Sequence, residues 1–125
     1  DDTIGLTFVD RESGRRCFYA PGLGGWTDAV LEEAHRADCV LIDGTLWKDD
    51  ELADRGAADK TGREMGHLAQ TGADGMLDRL APLAGRKILI HINNTNPILD
   101  EDSPERARLE AAGIEVAFDG MEIEI

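Results

Sequence analysis

Positive charge is what this chain has too little of. Its 125 residues carry 13 Lys and Arg against 26 Asp and Glu, a formal charge of −13. The cationic excess that neutralises phosphates is missing, which argues against nucleic acid or an acidic membrane as a partner. The acidity itself reads as a solvated surface. Long apolar runs are missing too: no stretch of about 18 apolar residues occurs, and no basic segment leads into an apolar one at the start, so neither a membrane span nor a signal peptide is legible. Cysteine is scarce. Cys17 and Cys39 each lie beside or within an apolar run, which suits small, buried, reduced thiols and a cytoplasmic setting better than a disulfide framework. The glycines of Pro21-Gly22-Leu23-Gly24-Gly25 lack the spacing of a dinucleotide fingerprint and follow a hairpin rather than opening a βαβ unit. No Met precedes Asp1-Asp2, a start expected of a fragment or a trimmed product.

What is present is ordinary for a globular domain: 42% hydrophobic and 31% charged residues, enough for one modest core over residues 1–125. Thr3 to Val9 alternates as a strand, Asp10 to Gly14 is a polar turn, and Arg15 to Ala20 is a second strand, so an antiparallel hairpin opens the chain. Thr27 is positioned to cap a helix reaching Ala37, with Val30, Leu31, Ala34 and Ala37 at helical spacing. Cys39 to Ile42 is a buried strand ending in Asp43-Gly44-Thr45. From Trp47 to Gln70 the pattern is weak, with a short helix opening near Lys48 and a surface excursion after it. A helix from about Asp74 turns Met76, Leu77, Leu80 and Leu83 to the core, is cut short by Pro82, and stops at Gly85. Lys87 to Ile92 is the next strand. Ser103-Pro104-Glu105 is the clearest helix start, closed by Gly113. Val116 to Phe118 and Met121 to Ile125 then read as a closing hairpin around Asp119-Gly120.

The richest segment is Lys87 to Pro97, in which an apolar strand runs into His91 and then Asn93, Asn94, Thr95 and Asn96. In open α/β sheets ligands bind at the carboxyl ends of strands, which is where His91 falls. A histidine there is either a hydrogen-bonded residue of the core edge or a functional group. The amides after it are costly beside a core unless they satisfy one another or a site. Asp43 ends another strand, as a turn former or cap, or as a carboxylate that ligates a metal or orients a ligand. His67, in Met65-Gly66-His67-Leu68, is an exposed or capping histidine, or a loop residue with a role.

Four motifs together resemble a known family: Asp43-Gly-Thr-Leu-Trp47, Thr61-Gly-Arg-Glu-Met-Gly-His67, His91-Ile-Asn-Asn-Thr-Asn-Pro-Ile-Leu99, and Asp102-Ser-Pro-Glu-Arg106. They and the closing Glu-Val-Ala-Phe-Asp-Gly-Met-Glu-Ile are similar to the C-terminal portion of the pyrroloquinoline quinone (PQQ) synthesis protein B family, of the metallo-β-lactamase superfamily. The resemblance implies an α/β fold, the C-terminal half of an αββα sandwich: one mixed β-sheet with helices on one face, the other layer and the main metal loop belonging to an absent N-terminal half.

It further implies that His91 is a metal ligand, that Asp43 ligates or supports the metal and has a catalytic role, and that His67 acts as acid, base or substrate contact. The dinuclear hydrolases of the superfamily bridge two metals with an Asp where this chain has Pro21, which favours a single metal, Fe(II) first and Zn as the alternative. The implied activity is iron-dependent hydroxylation of a tyrosine-derived PQQ precursor; the alternative is a noncatalytic carrier or transport protein for PQQ or its precursor. Asn93, Asn94 and Asn96 are then candidate substrate contacts. Arg63 or Lys60 is a candidate cationic contact against the plainer reading of solvated loop charges. The expected partners are a small, dipeptide-like precursor and the N-terminal half of the same domain, with a homodimer left open.

Overall fold

The computed structural model describes residues 4–54, 56, 61–72 and 74–125. The elements are β1 (Leu6–Val9), β2 (Arg16–Ala20), α1 (Asp28–Arg36), β3 (Cys39–Asp43), α2 (Glu51–Asp54), α3 (Met76–Leu80), β4 (Arg86–Ile90), α4 (Pro104–Ala111) and β5 (Ile114–Val116). Single 3-10 turns lie at Arg63–Met65 and Pro97–Leu99. The five strands form one sheet in sequence order, with β1 antiparallel to β2 and every other pair parallel. The α/β sheet expected from the sequence is therefore present, and it is mixed.

Local chemistry sets the elements as the sequence predicts. Thr27 accepts from the Val30 N–H at 3.3 Å and starts α1, while Ser103 accepts from the Arg106 N–H at 3.1 Å with Pro104 at the first position of α4. Strand parity then sorts the side chains onto two faces. Phe18, Ala20, Val40, Ile42, Leu89, Ile114 and Val116 pack with Ala34 of α1, Leu77 and Leu80 of α3, and Leu109 of α4. Burying a Leu- or Ile-sized side chain stabilises the fold by roughly 1.5–3 kcal/mol, so this face carries the core. Cys17, Cys39 and Ile88 form a second, smaller cluster on the other face, to which no helix contributes among the described residues. Both thiols are free and buried and are cross-strand partners. Burial, and then the neighbouring Cys17, push the Cys39 thiol up to about 11, which suits an inert thiol.

Three expected elements differ. The closing hairpin does not form: β5 is Ile114–Val116, and residues 121–125 make no strand. The turn at Asp119-Gly120 is there, with the Met121 N–H donating to the Phe118 carbonyl at 3.0 Å, but Met121 and Ile123 then pack on the second face of the sheet. Alternating apolar and acidic residues suit any extended segment laid on an apolar surface, whether or not its backbone pairs. The third helix starts at Met76 rather than Asp74, because Asp74 is left-handed (φ 58°) and Gly75 is the cap. The strand expected to reach Ile92 ends at Ile90, because His91 is also left-handed (φ 57°) and turns the chain out of the sheet. Lys60 and the rest of 57–60 lie outside the described residues, as do 1–3, 55 and 73.

Candidate metal centre

β3 and β4 are parallel neighbours with Asp43 opposite Ile90, so their carboxyl ends lie side by side. Gly44 takes the chain past β4: its N–H donates to the Ile90 carbonyl at 2.7 Å, and a Cβ there would sit 2.7 Å from the Leu89 Cβ. Only glycine fits that approach. The crossing delivers Thr45 beneath His91.

Asp43 is fully buried, and its two oxygens take four contacts. Oδ1 accepts from the Thr45 N–H at 3.0 Å and lies 2.5 Å from the Thr45 hydroxyl; Oδ2 accepts from the Leu23 N–H at 2.8 Å and meets His67 Nδ1 at 2.8 Å. The Asp43 carbonyl accepts from Gln70 Nε2 at 3.2 Å, and Gln70 Oε1 is a buried acceptor without a partner among the described residues. His67 arrives from the excursion, held where the Leu68 N–H donates to the Leu23 carbonyl. His91 Nδ1 lies 2.8 Å from the Thr45 hydroxyl, and the two imidazoles stack with centroids 5.3 Å apart. Ligand atoms from Asp43, His67 and His91 all fall within 4.8 Å of one another. The structure thus brings the three candidates from three separate segments into one cluster.

Two imidazoles and a carboxylate suit zinc or iron. The residues fit such an ion in a particular way. With both carboxylate oxygens already engaged, Asp43 is placed to orient His67 through Nδ1, the outer carboxylate–histidine pairing usual behind metal-bound histidines. Pro21, just after β2, brings no carboxylate to the cluster.

The three asparagines are placed differently from one another. Asn96 is buried; its Nδ2 donates to the Gly44 carbonyl at 2.9 Å and its Oδ1 accepts from the Ile98 N–H at 3.1 Å, so it ties the rim to the end of β3. Asn93 donates to the Thr95 hydroxyl, which donates to the buried Glu51 at 2.6 Å. Asn94 is exposed and lines a cleft of about 520 Å³ with Leu99, Asp100 and Glu105. Arg63 is exposed, its N–H donating to Asp49, and lines a separate cleft of about 160 Å³ with Trp26 and Arg79. A third cleft, about 340 Å³, opens on His91 itself between Ile92, Leu99, Phe118 and Asp119. Thr45, Gln70 and Glu51 were not singled out from the sequence. Thr45 carried a signal, since it follows a strand-end carboxylate by two residues.

The beta-lactamase superfamily domain model matches residues 1–92. This chain belongs to the beta-lactamase superfamily. Within that superfamily it is 60% identical over 124 residues to coenzyme PQQ synthesis protein B of Azotobacter vinelandii, covering 99% of this chain and 41% of the relative. It is 63% identical over 123 residues to the protein of that name from Azoarcus sp. strain BH72, covering 96% and 40%. The chain spans about two fifths of the length of these superfamily relatives. Among solved superfamily folds, Zn(2+)-bound PqqB from Methylobacterium extorquens superposes with a TM-score of 0.91 at 40% identity, over 98% of this chain and 44% of that one. A diphosphatase of the PhnP family shares the fold alone, with a TM-score of 0.55 at 19% identity over 98% of this chain and 43% of that one.

Proposed function

We propose that this chain acts in PQQ biosynthesis and contributes His91, His67 and Asp43 to a single-metal site that hydroxylates a small, tyrosine-derived precursor. The observation that carries the reading is the convergence of those three residues at the carboxyl ends of β3 and β4, in a chain so close to proteins named for PQQ synthesis. Iron would be held by the His67 and His91 imidazoles and would supply the one-electron and dioxygen chemistry that side chains lack; zinc would fit the same donors.

The rest falls to the chain's own residues. Asp43 holds His67 by Nδ1, which leaves Nε2 to ligate or to exchange a proton with substrate. The cleft beside His91 presents Phe118 and Leu99, 68% and 50% exposed, as apolar walls for an aromatic ring, with the Asp119 carboxylate at its edge. The sheet face that carries no helix among the described residues, where Leu6 and Phe8 are exposed beside Cys17, is suited to a second β layer supplied by the same protein.

The test uses the intact protein loaded anaerobically with ferrous iron and then given dioxygen and precursor. A hydroxylated product that disappears in His91→Ala supports the proposal. Full turnover in that variant removes the role of His91, and tight PQQ binding without dioxygen uptake favours a carrier instead.

A further inference from the structure

The Thr45 hydroxyl is the most connected atom of the site. It lies 2.5 Å from Asp43 Oδ1, 2.8 Å from His91 Nδ1, 2.9 Å from the His91 carbonyl and 3.2 Å from His67 Nδ1, and the residue is buried. It owns one proton for these contacts. Two oxygens at 2.5 Å need a proton between them, and an ionised carboxylate has none to give, so the hydroxyl donates to Asp43. The His91 carbonyl takes at most a shared part of that hydrogen. The contact to His91 Nδ1 then needs its proton from the ring, which makes His91 the Nδ1–H tautomer. His67 reaches the same state directly, because its Nδ1 sits at 2.8 Å from Asp43 Oδ2.

We propose that Thr45 is a positioning residue that relays the Asp43 charge to His91, so that one buried carboxylate fixes the tautomer of two imidazoles from different segments and leaves Nε2 of each bare. A chain without this relay has no donor–acceptor logic holding His91, which is otherwise exposed and, among the described residues, stacks on His67. The inference rests on the reading of this cluster as a metal site only in its second consequence, that Thr45 raises metal affinity through His91. Outer partners of this kind contribute about 10–100-fold.

The experiment compares wild type, Thr45→Val and Thr45→Ser of the intact protein. Long-range nitrogen–proton correlation spectra of the metal-free forms, taken above the ordinary imidazole titration range, read the tautomer, and zinc titration reads affinity. The expected result is Nδ1–H at His91 in wild type and in Thr45→Ser, a loss of that preference in Thr45→Val, and zinc binding about 10–100-fold weaker in Thr45→Val alone. Thr45→Ser keeps the hydroxyl and guards against a folding defect. An unchanged His91 tautomer in Thr45→Val overturns the relay, whatever zinc does. A changed tautomer with unchanged zinc affinity overturns the positioning role. A wild type whose zinc binding is indifferent to His91→Gly overturns the metal reading, and the tautomer comparison still decides the relay.

Discussion

At the end of β3 the chain turns inward, and at the end of β4 it turns outward. Asp43 is buried to the last atom, with both oxygens committed to Leu23, Thr45 and His67. His91, one step beyond the residue opposite it, is exposed, and takes a left-handed backbone (φ 57°) that costs a residue with a Cβ about 1–2 kcal/mol. One strand end is an anchor that knits three segments together. The other is held at some cost in a conformation that presents its ring. The difference separates a residue whose contacts hold the fold from one whose ring is left open to solvent, and it yields opposite signs on mutation.

The largest effect is expected on the anchor. Asp43→Ala strands the Leu23 and Thr45 N–H groups and His67 Nδ1, and lowers folding stability by about 3 kcal/mol or more, read from urea unfolding. A loss under 1 kcal/mol would break the comparison. Next comes the rim, which depends on a second buried carboxylate. Glu51 accepts from the Trp47 N–H at 3.0 Å and from the Thr95 hydroxyl at 2.6 Å, so Glu51→Gln keeps an acceptor for only one of them, leaves the Thr95 hydroxyl proton without its carboxylate, and costs about 2 kcal/mol.

On the exposed side the sign reverses. His91→Gly relieves the left-handed strain and raises stability by up to about 1 kcal/mol, whereas His91→Ala keeps the strain, loses the Thr45 contact and lowers stability by about 0.5–1 kcal/mol. Thermal melts of both variants separate the backbone term from the ring. The last effect lies away from both strand ends and is confined to alkaline pH. The Cys39 thiol is raised from 9.0 to about 11 by burial and by Cys17, so the folded state holds its proton more tightly than the unfolded chain. Stability from this group is complete below pH 9.0 and is lost as pH rises toward 11. Urea midpoints on either side of pH 9 check it, and native Cys39 resists alkylation at neutral pH.

Much of this was legible in the sequence for identifiable reasons. Caps are local chemistry, so Thr27 and Ser103 announced α1 and α4; helices on one face were expected from the family resemblance. The closing strand misled because Met121, Ile123 and Ile125 alternate with acids in a strand's pattern, while Met121 and Ile123 pack on the sheet's second face without pairing. His91, His67 and Asp43 were legible as separate candidates. What could not be read was how they connect, since Thr45 meets His91 across 46 residues of chain and Asp43 meets His67 across 24. The same holds for Asn96, whose amide ties the rim to the Gly44 carbonyl across 52 residues of chain. Contacts of that range belong to the fold.

The most direct test of the account is the difference between two zinc titrations, of the intact wild-type protein and of its His91→Gly variant, with melting temperatures measured alongside. The account predicts that the variant melts at or above the wild-type temperature and loses one zinc-binding event or weakens it by more than about 100-fold, beyond the loss of an outer partner. Equal titrations, with the same stoichiometry and affinity, would contradict it.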